Sequence, residues 1–389
     1  APQRRGAARA AASQSDALLP VQRRLRREAR GGGVTQPVKQ RAAVERLPAY
    51  VQGKSVPNAI KLSSNENPSP PLDSVTQAVR EQLGSFQLYP DMSGAAVVKR
   101  IAEHLDVRPE EIALGAGSVE VAAQLVNASA GEGDEVIFAW RSFEAYPILA
   151  QIAGATAVRV PLTADERHDL PAMAEAVTDR TRLILLCTPN NPTGAAIRRD
   201  ELEQFLAVVP RDVLVVVDEA YTQFNDDPDA VDGLDFFRRH GNVAVLHTFS
   251  KAYGLAGLRI GYAVAHEQVA ANLRRVALPF GVSALAQTAA VASLDAQQEL
   301  DERVRAVIAE RGRVTAALRE AGWPVLDSQG NFVWVRAGER AAEIDAALRE
   351  GGVIARAFVG EGLRITIGSP EMNDRLLQAI AGIEPIAAA

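Results

Sequence analysis

The chain has 389 residues, of which 47% are hydrophobic and 23% charged, and its formal net charge is −6. This length predicts two or three domains, and no apolar run reaches the roughly 18 residues of a membrane-spanning helix, so we expect no membrane segment. The single cysteine, Cys187, excludes an intramolecular disulfide and favours a reducing compartment. We therefore expect a cytoplasmic protein in which this thiol is packed.

The charge is unevenly distributed along the chain. Residues 1–45 hold ten basic and three acidic side chains, which gives this head +7 and leaves −13 for the remainder. An acidic body argues against nucleic-acid binding. We predict that residues 1–44 form a disordered basic extension, because they lack hydrophobic periodicity; an organelle transit peptide is the alternative. Residues 45–70 are expected to form an N-terminal arm, whose prolines and glycine interrupt any helix.

Loops and helices open the body of the chain. Asn65 lies in a loop rich in proline and asparagine, and apolar spacing predicts a helix over residues 73–83. A loop containing Tyr89 follows, and a second amphipathic helix is expected to end at Leu105.

A glycine turn follows the next apolar run, residues 112–114. It leads into a helix whose first N–H groups, at residues 117–119, suit a phosphate. A tight turn capped by Ser118 is the alternative. A dinucleotide-binding fingerprint is poorly supported, because Glu120 stands where its third glycine belongs.

Short apolar runs separated by helical or loop segments then predict a mostly parallel sheet covered on both faces. These runs span residues 136–139, 157–160, 183–187, 213–217 and 243–246. The last three are followed by polar side chains, namely Asn191, the pair Asp218 and Tyr221, and the pair Ser250 and Lys251. Because ligands bind at the carboxyl ends of such strands, we expect these side chains on one rim of the sheet.

The pattern changes after residue 262. A long amphipathic helix is expected around residues 300–318, followed by a strand at 331–335, a helix near 341–350 and a strand at 362–368. We therefore predict a large domain over residues 71–280 and a smaller α/β domain over residues 281–389.

The polar residues at the rim match the needs of one cofactor. Partial burial after a core strand lowers the pKa of a lysine such as Lys251 and frees its amine to attack carbonyls. Pyridoxal 5′-phosphate (PLP) binds such an amine as a Schiff base and needs a carboxylate at its ring nitrogen, a role that suits Asp218. Asn191 and Tyr221 can donate to its phenolic oxygen, and Phe143 is the best candidate for an apolar lid on the ring.

The phosphate of this cofactor would need cations and hydroxyl groups beside the amine. Ser250, Arg259 and the helix start at residues 117–119 can supply them. A surface lysine and arginine that follow a strand are the alternative interpretation of this segment.

Four motifs together resemble a known family. They are Asn-Asn-Pro-Thr-Gly at 190–194, Asp-Glu-Ala-Tyr at 218–221, Ser-Lys-Ala-Tyr-Gly-Leu-Ala-Gly-Leu-Arg at 250–259 and Leu-Arg-Ile-Thr-Ile-Gly at 363–368. The chain is similar, over residues 45–380, to the fold-type I PLP-dependent aminotransferases of class II, in their histidinol-phosphate aminotransferase branch. The resemblance implies a large domain with a mostly parallel seven-stranded sheet, a smaller C-terminal α/β domain and a homodimer.

The resemblance also implies roles for individual residues. Lys251, Asp218 and Tyr221 would be catalytic, and Lys251 would also shuttle a proton. Phosphate contacts would come from Ser118, Val119, Ser250 and Arg259, and from Tyr89 of the neighbouring subunit. Arg364 would hold the substrate carboxylate, and Asn191 and Asn65 would also contact the substrate.

Two departures from the histidinol-phosphate pattern bear on the substrate. Val119 stands where those enzymes usually have aspartate, and the loop between Arg356 and Arg364 is short. The short loop and the segment 140–147 are similar to the aromatic (phenylalanine) aminotransferase branch. A core position is the alternative interpretation of the aromatic side chains in that segment.

We therefore predict transfer of the amino group of Phe, Tyr or Trp to 2-oxoglutarate. The alternatives are a histidinol-phosphate aminotransferase, a decarboxylase of the same fold, and a cofactor-sensing regulator that would bind DNA. The regulator would need a helix-turn-helix, which the basic head does not supply.

Overall fold

The computed structural model describes residues 38–45, 47 and 58–386. The chain divides into two units, residues 1–46 and residues 47–389. The described part of the first unit is a short helix, α1 (Ala42–Glu45). Of the predicted disordered extension, residues 38–44 are described and the rest lie outside the described residues. Of the predicted arm, residues 46 and 48–57 also lie outside them.

The second unit contains twelve strands within its described residues. They are β1 (Ile60–Lys61), β2 (Ile112–Gly115), β3 (Glu135–Trp140), β4 (Thr156–Pro161), β5 (Thr181–Cys187), β6 (Leu214–Asp218), β7 (Val243–Thr248), β8 (Gly261–Val264), β9 (Phe332–Arg336), β10 (Val353–Ile354), β11 (Arg356–Phe358) and β12 (Gly362–Thr366).

Helices connect and cover these strands. They are α2 (Asp73–Gln82), α3 (Ala95–Leu105), α4 (Ser118–Ser129), α5 (Ala145–Ala153), α6 (Leu170–Glu175), α7 (Arg199–Val208), α8 (Gly233–Arg239), α9 (Glu267–Val276), α10 (Ala284–Asp295), α11 (Gln297–Glu320), α12 (Ala341–Glu350) and α13 (Pro370–Ala381). Of the helices described, none is long and apolar enough to cross a membrane.

Seven strands form the central sheet in the order β2-β8-β7-β6-β5-β3-β4. Strand β8 is antiparallel to both of its neighbours, and every other pair is parallel. The predicted mostly parallel seven-stranded sheet is therefore confirmed. Alternate residues of β5 enter different apolar clusters, since Leu183 and Leu185 pack on one side while Ile184 and Leu186 pack on the other. Burial on both faces explains why the strands are continuous apolar runs.

Strand β8 is an element that the apolar runs did not reveal. Its residues fall at the end of the glycine-rich segment, and its first residue is Gly261. A Cβ at Gly261 would lie 2.5 Å from the backbone nitrogen of Ser118. Glycine is therefore required here because β8 passes directly against the start of α4.

A second, antiparallel sheet has the order β11-β12-β9. The predicted strands at 331–335 and 362–368 correspond to β9 and β12, and the predicted long helix is α11. Strands β1 and β10 form a separate parallel pair, which the sequence did not indicate. The domain boundary between residues 280 and 281 stays a prediction.

Candidate active site

The carboxyl ends of β5, β6 and β7 open into a cavity of 290 Å³. Ten of the twelve predicted site residues line this cavity, and Tyr89 and Asn65 are the two that do not. The lining residues that were predicted are Ser118, Val119, Phe143, Asn191, Asp218, Tyr221, Ser250, Lys251, Arg259 and Arg364. The strand ends therefore bring together side chains that are up to 246 positions apart in the sequence (118 to 364).

Lys251 lies three residues beyond the end of β7. Its Nζ donates a hydrogen bond to the carbonyl oxygen of Ser64 at 3.2 Å and lies 5.8 Å from the centre of the Tyr221 ring. Burial, reinforced by the positive charge of Arg364, lowers the pKa of Lys251 to about 7. A substantial fraction of the amine is therefore neutral at pH 7 and can act as a nucleophile or a base.

Asp218 is the last residue of β6 and is buried. Its Oδ2 accepts a hydrogen bond from the Tyr146 hydroxyl at 2.6 Å, and its Oδ1 accepts one from the Ala220 N–H at 3.2 Å. Burial raises the pKa of Asp218 to about 6. A cation placed beside this carboxylate would lower that pKa again, so the site favours a positively charged partner.

The neighbouring carboxylate, Glu219, does not line the cavity. It accepts a hydrogen bond from the Gly233 N–H at 2.7 Å and lies 3.5 Å from the His247 ring nitrogen Nε2. Burial raises the pKa of Glu219 to about 8 and lowers the pKa of His247 to about 4, so both groups favour their neutral forms at pH 7.

A group of hydrogen-bond donors at one end of the cavity suits a phosphate. Helix α4 begins at Ser118, and the N–H groups of Ser118 and Val119 have no acceptor within the helix because they belong to its first turn. The Gly117 N–H donates to the Gly115 carbonyl at 2.8 Å and is therefore not available to a phosphate. The expectation that the N–H groups of residues 117–119 would all suit a phosphate is thus wrong for Gly117. The cap residue is Gly117, and no side chain caps the helix.

Arg259 adds a positive charge to this end of the cavity. It adopts a left-handed backbone conformation, with φ of 57°, and its Nη1 donates to the Ser250 hydroxyl at 3.3 Å and to the Ala256 carbonyl at 2.9 Å. A side chain at Gly117 would clash with the guanidinium group of Arg259. The absence of a side chain at Gly117 thus leaves the space that the guanidinium group occupies.

Arg364, on β12, brings the smaller sheet into the site. Its Nη1 donates to Asn191 Oδ1 at 2.5 Å and its Nη2 donates to the Ser63 carbonyl at 2.7 Å. The guanidinium lies 5.8 Å from the centre of the Phe332 ring. These contacts hold a buried cation at the cavity wall.

Asn65 lies behind Tyr221 and outside the cavity lining. Its Nδ2 donates to the Tyr221 hydroxyl at 3.0 Å, and its backbone N–H donates to Thr366 Oγ1 at 2.9 Å. Asn65 therefore fixes the position of the Tyr221 hydroxyl, and its predicted contact with the substrate stays a prediction.

Tyr89 lies apart from the cavity and is 83% exposed. Its ring packs against Phe280 with 4.7 Å between the ring centres. Leu88, Met92 and Leu278 are exposed apolar residues of the same two loops. Tyr89 thus belongs to an apolar outer surface, and its predicted phosphate contact would require a second subunit.

Sequence reasoning missed three groups that shape the site. Tyr146 lies in the segment 140–147, for whose aromatic side chains a core position was the alternative interpretation, but its hydroxyl also donates to Asp218. The Ser64 carbonyl accepts from Lys251, and Glu144 pairs with Arg356 at 3.0 Å on the cavity wall. None of these contacts has a local signature, because the partners are between 72 and 212 positions apart.

The donor set fits pyridoxal phosphate. The amine of Lys251 suits an aldehyde, the buried carboxylate of Asp218 suits a protonated ring nitrogen, and the start of α4 with Arg259 suits a phosphate. Phe143 lines the same cavity and can cover a ring. Among the residues described, no cluster of three or more His, Cys, Asp or Glu side chains could hold a metal ion.

Comparisons with known proteins identify the relatives of this chain. Residues 57–380 match the family model described as aminotransferase class I and II. An aromatic amino acid aminotransferase from Streptomyces avermitilis is 57% identical over 344 residues, which cover 87% of this chain and 96% of that protein. One from Cutibacterium acnes is 55% identical over 343 residues, which cover 88% of this chain and 97% of that protein.

A solved structure with the same fold is that of histidinol-phosphate aminotransferase from Sinorhizobium meliloti, in complex with pyridoxal 5′-phosphate. It superposes with a TM-score of 0.82 at 27% sequence identity, covering 90% of this chain and 98% of that chain.

Proposed function

This chain belongs to the class I and II aminotransferase family, and we propose that it transfers the amino group of an aromatic amino acid to 2-oxoglutarate with pyridoxal phosphate as cofactor. The observation that carries the proposal is one cavity that joins the amine of Lys251, the buried carboxylate of Asp218 and the guanidinium of Arg364. The curated relatives that support the aromatic substrate are 49–57% identical to this chain.

When bound, pyridoxal phosphate supplies a conjugated ring that accepts the electron pair released as the Cα–H bond of the amino acid breaks. Its phosphate would lie at the start of α4, with Ser250 and Arg259. Asp218 would hold the proton on the ring nitrogen, and the hydrogen bond from Tyr146 keeps this carboxylate oriented. Tyr221 and Asn191 would donate to the phenolic oxygen.

Lys251 is positioned to move the proton of the reaction. Because burial brings the pKa of Lys251 to about 7, its amine can act as a base that takes a proton from Cα and, once protonated, as an acid that returns it. The bond to the Ser64 carbonyl fixes the amine at the floor of the cavity. A general base whose pKa lies near the working pH is the most effective one.

Arg364 would bind the α-carboxylate that every substrate of this reaction carries. Its planar guanidinium suits a bidentate pair with a carboxylate, and Asn191 and the Ser63 carbonyl hold it in place. The amino donor and the oxo-acid acceptor would use this arginine in turn, as a ping-pong reaction requires.

A histidinol-phosphate aminotransferase is the second candidate. It is favoured by the solved structure from Sinorhizobium meliloti, but that protein is 27% identical to this chain, whereas the aromatic aminotransferase from Streptomyces avermitilis is 57% identical. The short connection between β11 and β12, residues 359–361, also supports the aromatic assignment.

We further propose that the enzyme works as a homodimer in the cytoplasm. The exposed rings of Tyr89 and Phe280 suit an interface with a second copy, from which Tyr89 would reach the partner's phosphate site.

Incubation of the holoenzyme with L-phenylalanine and 2-oxoglutarate tests the proposed function. We expect one phenylpyruvate per glutamate formed and no release of CO₂. Stoichiometric CO₂ without phenylpyruvate would instead identify a decarboxylase.

A further inference from the structure

Two arginines face the same side of the smaller sheet. Arg356 on β11 and Arg364 on β12 are register partners in an antiparallel pair, so their side chains project from the same face. Their guanidinium carbons lie 5.7 Å and 6.0 Å from the centre of the Phe358 ring. Like charges directly opposite each other are destabilising unless each has its own acceptor.

The two arginines have acceptors of different kinds. Arg364 donates to neutral groups, the Asn191 side chain and the Ser63 carbonyl. Arg356 donates to both carboxylate oxygens of Glu144, at 3.0 Å and 3.2 Å. Glu144 therefore neutralises the positive charge of Arg356, whereas Asn191 and Ser63 add no negative charge beside Arg364.

The ion pair of Glu144 and Arg356 lies on the cavity wall. Both residues line the cavity, and their side chains are 29% and 22% exposed. Of the other two carboxylates in the lining, Glu66 pairs with Lys61, and Asp218 accepts a hydrogen bond from Tyr146. A ligand in the cavity can therefore reach Arg356, and Glu144 is the carboxylate with which it would compete.

The proposed reaction has two kinds of ligand, which differ in the charge at their far ends. An aromatic amino acid carries one carboxylate, which Arg364 would bind, while 2-oxoglutarate carries a second at its far end. The other two cations in the cavity lining are Lys251 and Arg259, which would contact the cofactor under the proposed function. A second carboxylate therefore has Arg356 as its partner, at a position where the aromatic substrate places an uncharged ring.

We propose that Glu144 is a specificity-determining residue that sets the balance between aromatic and dicarboxylate ligands by competing for Arg356. With an aromatic side chain in the cavity, Glu144 keeps Arg356 neutralised. With a dicarboxylate, the distal carboxylate replaces Glu144 as the partner of Arg356. This inference rests on the proposed function for its substrates.

A second ion pair provides a matched control. Arg141 and Glu361 join the same two segments of chain with the charges reversed, and neither residue lines the cavity. Glu361→Gln removes a carboxylate from the same region without changing the cavity wall.

The test measures binding to the holoenzyme by titration calorimetry, with two unreactive ligands, glutarate and 3-phenylpropanoate. We expect Glu144→Gln to tighten glutarate about fivefold, because the competing charge is removed, and to leave 3-phenylpropanoate unchanged or weaker. Arg356→Gln should weaken glutarate at least about tenfold and more than it weakens 3-phenylpropanoate. Glu361→Gln should leave the ratio of the two affinities at its wild-type value.

Equal changes for the two ligands in both Glu144→Gln and Arg356→Gln would overturn the inference, since the pair would then be only structural. The inference would also be overturned if Glu361→Gln changed the ratio of the two affinities as much as Glu144→Gln does. Because the ligands do not react, the outcome is independent of whether phenylalanine is a substrate. Failure of the wild-type enzyme to convert phenylalanine would contradict the proposed function alone.

Discussion

The cavity has two parts that are built differently. Its floor, at the ends of β5, β6 and β7, carries buried groups, and Asp218 and Asn191 there are 4% and 6% exposed. Its mouth is lined by the ion pair of Glu144 and Arg356, whose side chains are 29% and 22% exposed, and the pair of Arg141 and Glu361 joins the same two chain segments outside the lining. Under the proposed function, the floor would hold the groups that act on the cofactor and on Cα, whereas the mouth would surround the part of the substrate that varies.

This difference has a physical origin. The floor is fixed by hydrogen-bonded strands that are buried on both faces, so its side chains cannot move without disturbing the core. The mouth is fixed by partly exposed ion pairs, which contribute little to stability and can exchange partners. We therefore expect substitutions in the floor to affect all substrates and substitutions in the mouth to separate them.

The largest expected effect is that of Lys251→Ala. Loss of the amine removes both the attachment point for the cofactor and the group that moves the Cα proton, so we expect turnover to fall more than about 10⁴-fold. Circular dichroism should show an unchanged fold, and the absorbance of lysine-bound cofactor should be lost. Retained turnover in this variant would contradict the assigned role.

Two adjacent carboxylates provide the next comparison. Asp218→Asn removes the charge that would hold a proton on the cofactor ring, and we expect kcat to fall about 100- to 1,000-fold. Glu219→Gln should have a small effect, because Glu219 does not line the cavity and burial, which raises its pKa to about 8, already keeps it neutral at pH 7. Steady-state kinetics check both variants, and similar losses in the two would argue against the special role of Asp218.

Arg364→Ala should weaken every substrate by about the same factor, because aromatic and dicarboxylate substrates present the same α-carboxylate. We expect a loss of about 100-fold in kcat/KM for both. Kinetics with phenylalanine and with 2-oxoglutarate measure the two losses separately. A loss confined to one substrate would show that Arg364 does not bind the α-carboxylate that both substrates share.

The lowered pKa of Lys251 predicts how the apoenzyme takes up its cofactor. The neutral amine is the reactive form, so the rate should rise about tenfold per pH unit below the pKa and level off above it. Because burial brings that pKa to about 7, half of the maximal rate is expected near pH 7. Stopped-flow absorbance can measure this rate, and an increase that continues to pH 10 would indicate a solvent-exposed lysine.

Tyr89→Phe should have the smallest effect. Loss of one neutral hydrogen bond to the phosphate across a dimer interface is expected to weaken cofactor binding about fivefold, without changing kcat at saturating cofactor. Equilibrium dialysis against pyridoxal phosphate measures this affinity. An unchanged affinity would leave Tyr89 as an apolar surface residue only.

The floor could be predicted from the sequence and the mouth could not. Each floor residue follows its own apolar run, so Asn191, Asp218 and Lys251 could be placed at one rim from the strand rule alone. The mouth depends on Glu144 meeting Arg356, 212 positions away, and a tertiary ion pair leaves no periodic or local pattern. The short strand β8 was missed because glycine begins it and only four residues form it.

The order of strands in the sheet could not be predicted from the apolar runs either. Alternating strands and helices predict a parallel sheet, but β8 enters between β2 and β7 and is antiparallel to both. That insertion brings Gly261 against the start of α4, at the end of the cavity proposed to take the phosphate. A contact of this kind depends on packing between distant elements, which the local sequence does not encode.

The most direct test of the aromatic assignment is single-turnover absorbance spectroscopy of the holoenzyme. The enzyme is mixed separately with L-phenylalanine and with L-histidinol phosphate, and conversion of the cofactor to its pyridoxamine form is followed. We predict fast conversion by phenylalanine and slow or no conversion by histidinol phosphate. Fast conversion by histidinol phosphate alone would contradict the aromatic assignment and show that the short connection between β11 and β12 does not select an aromatic side chain.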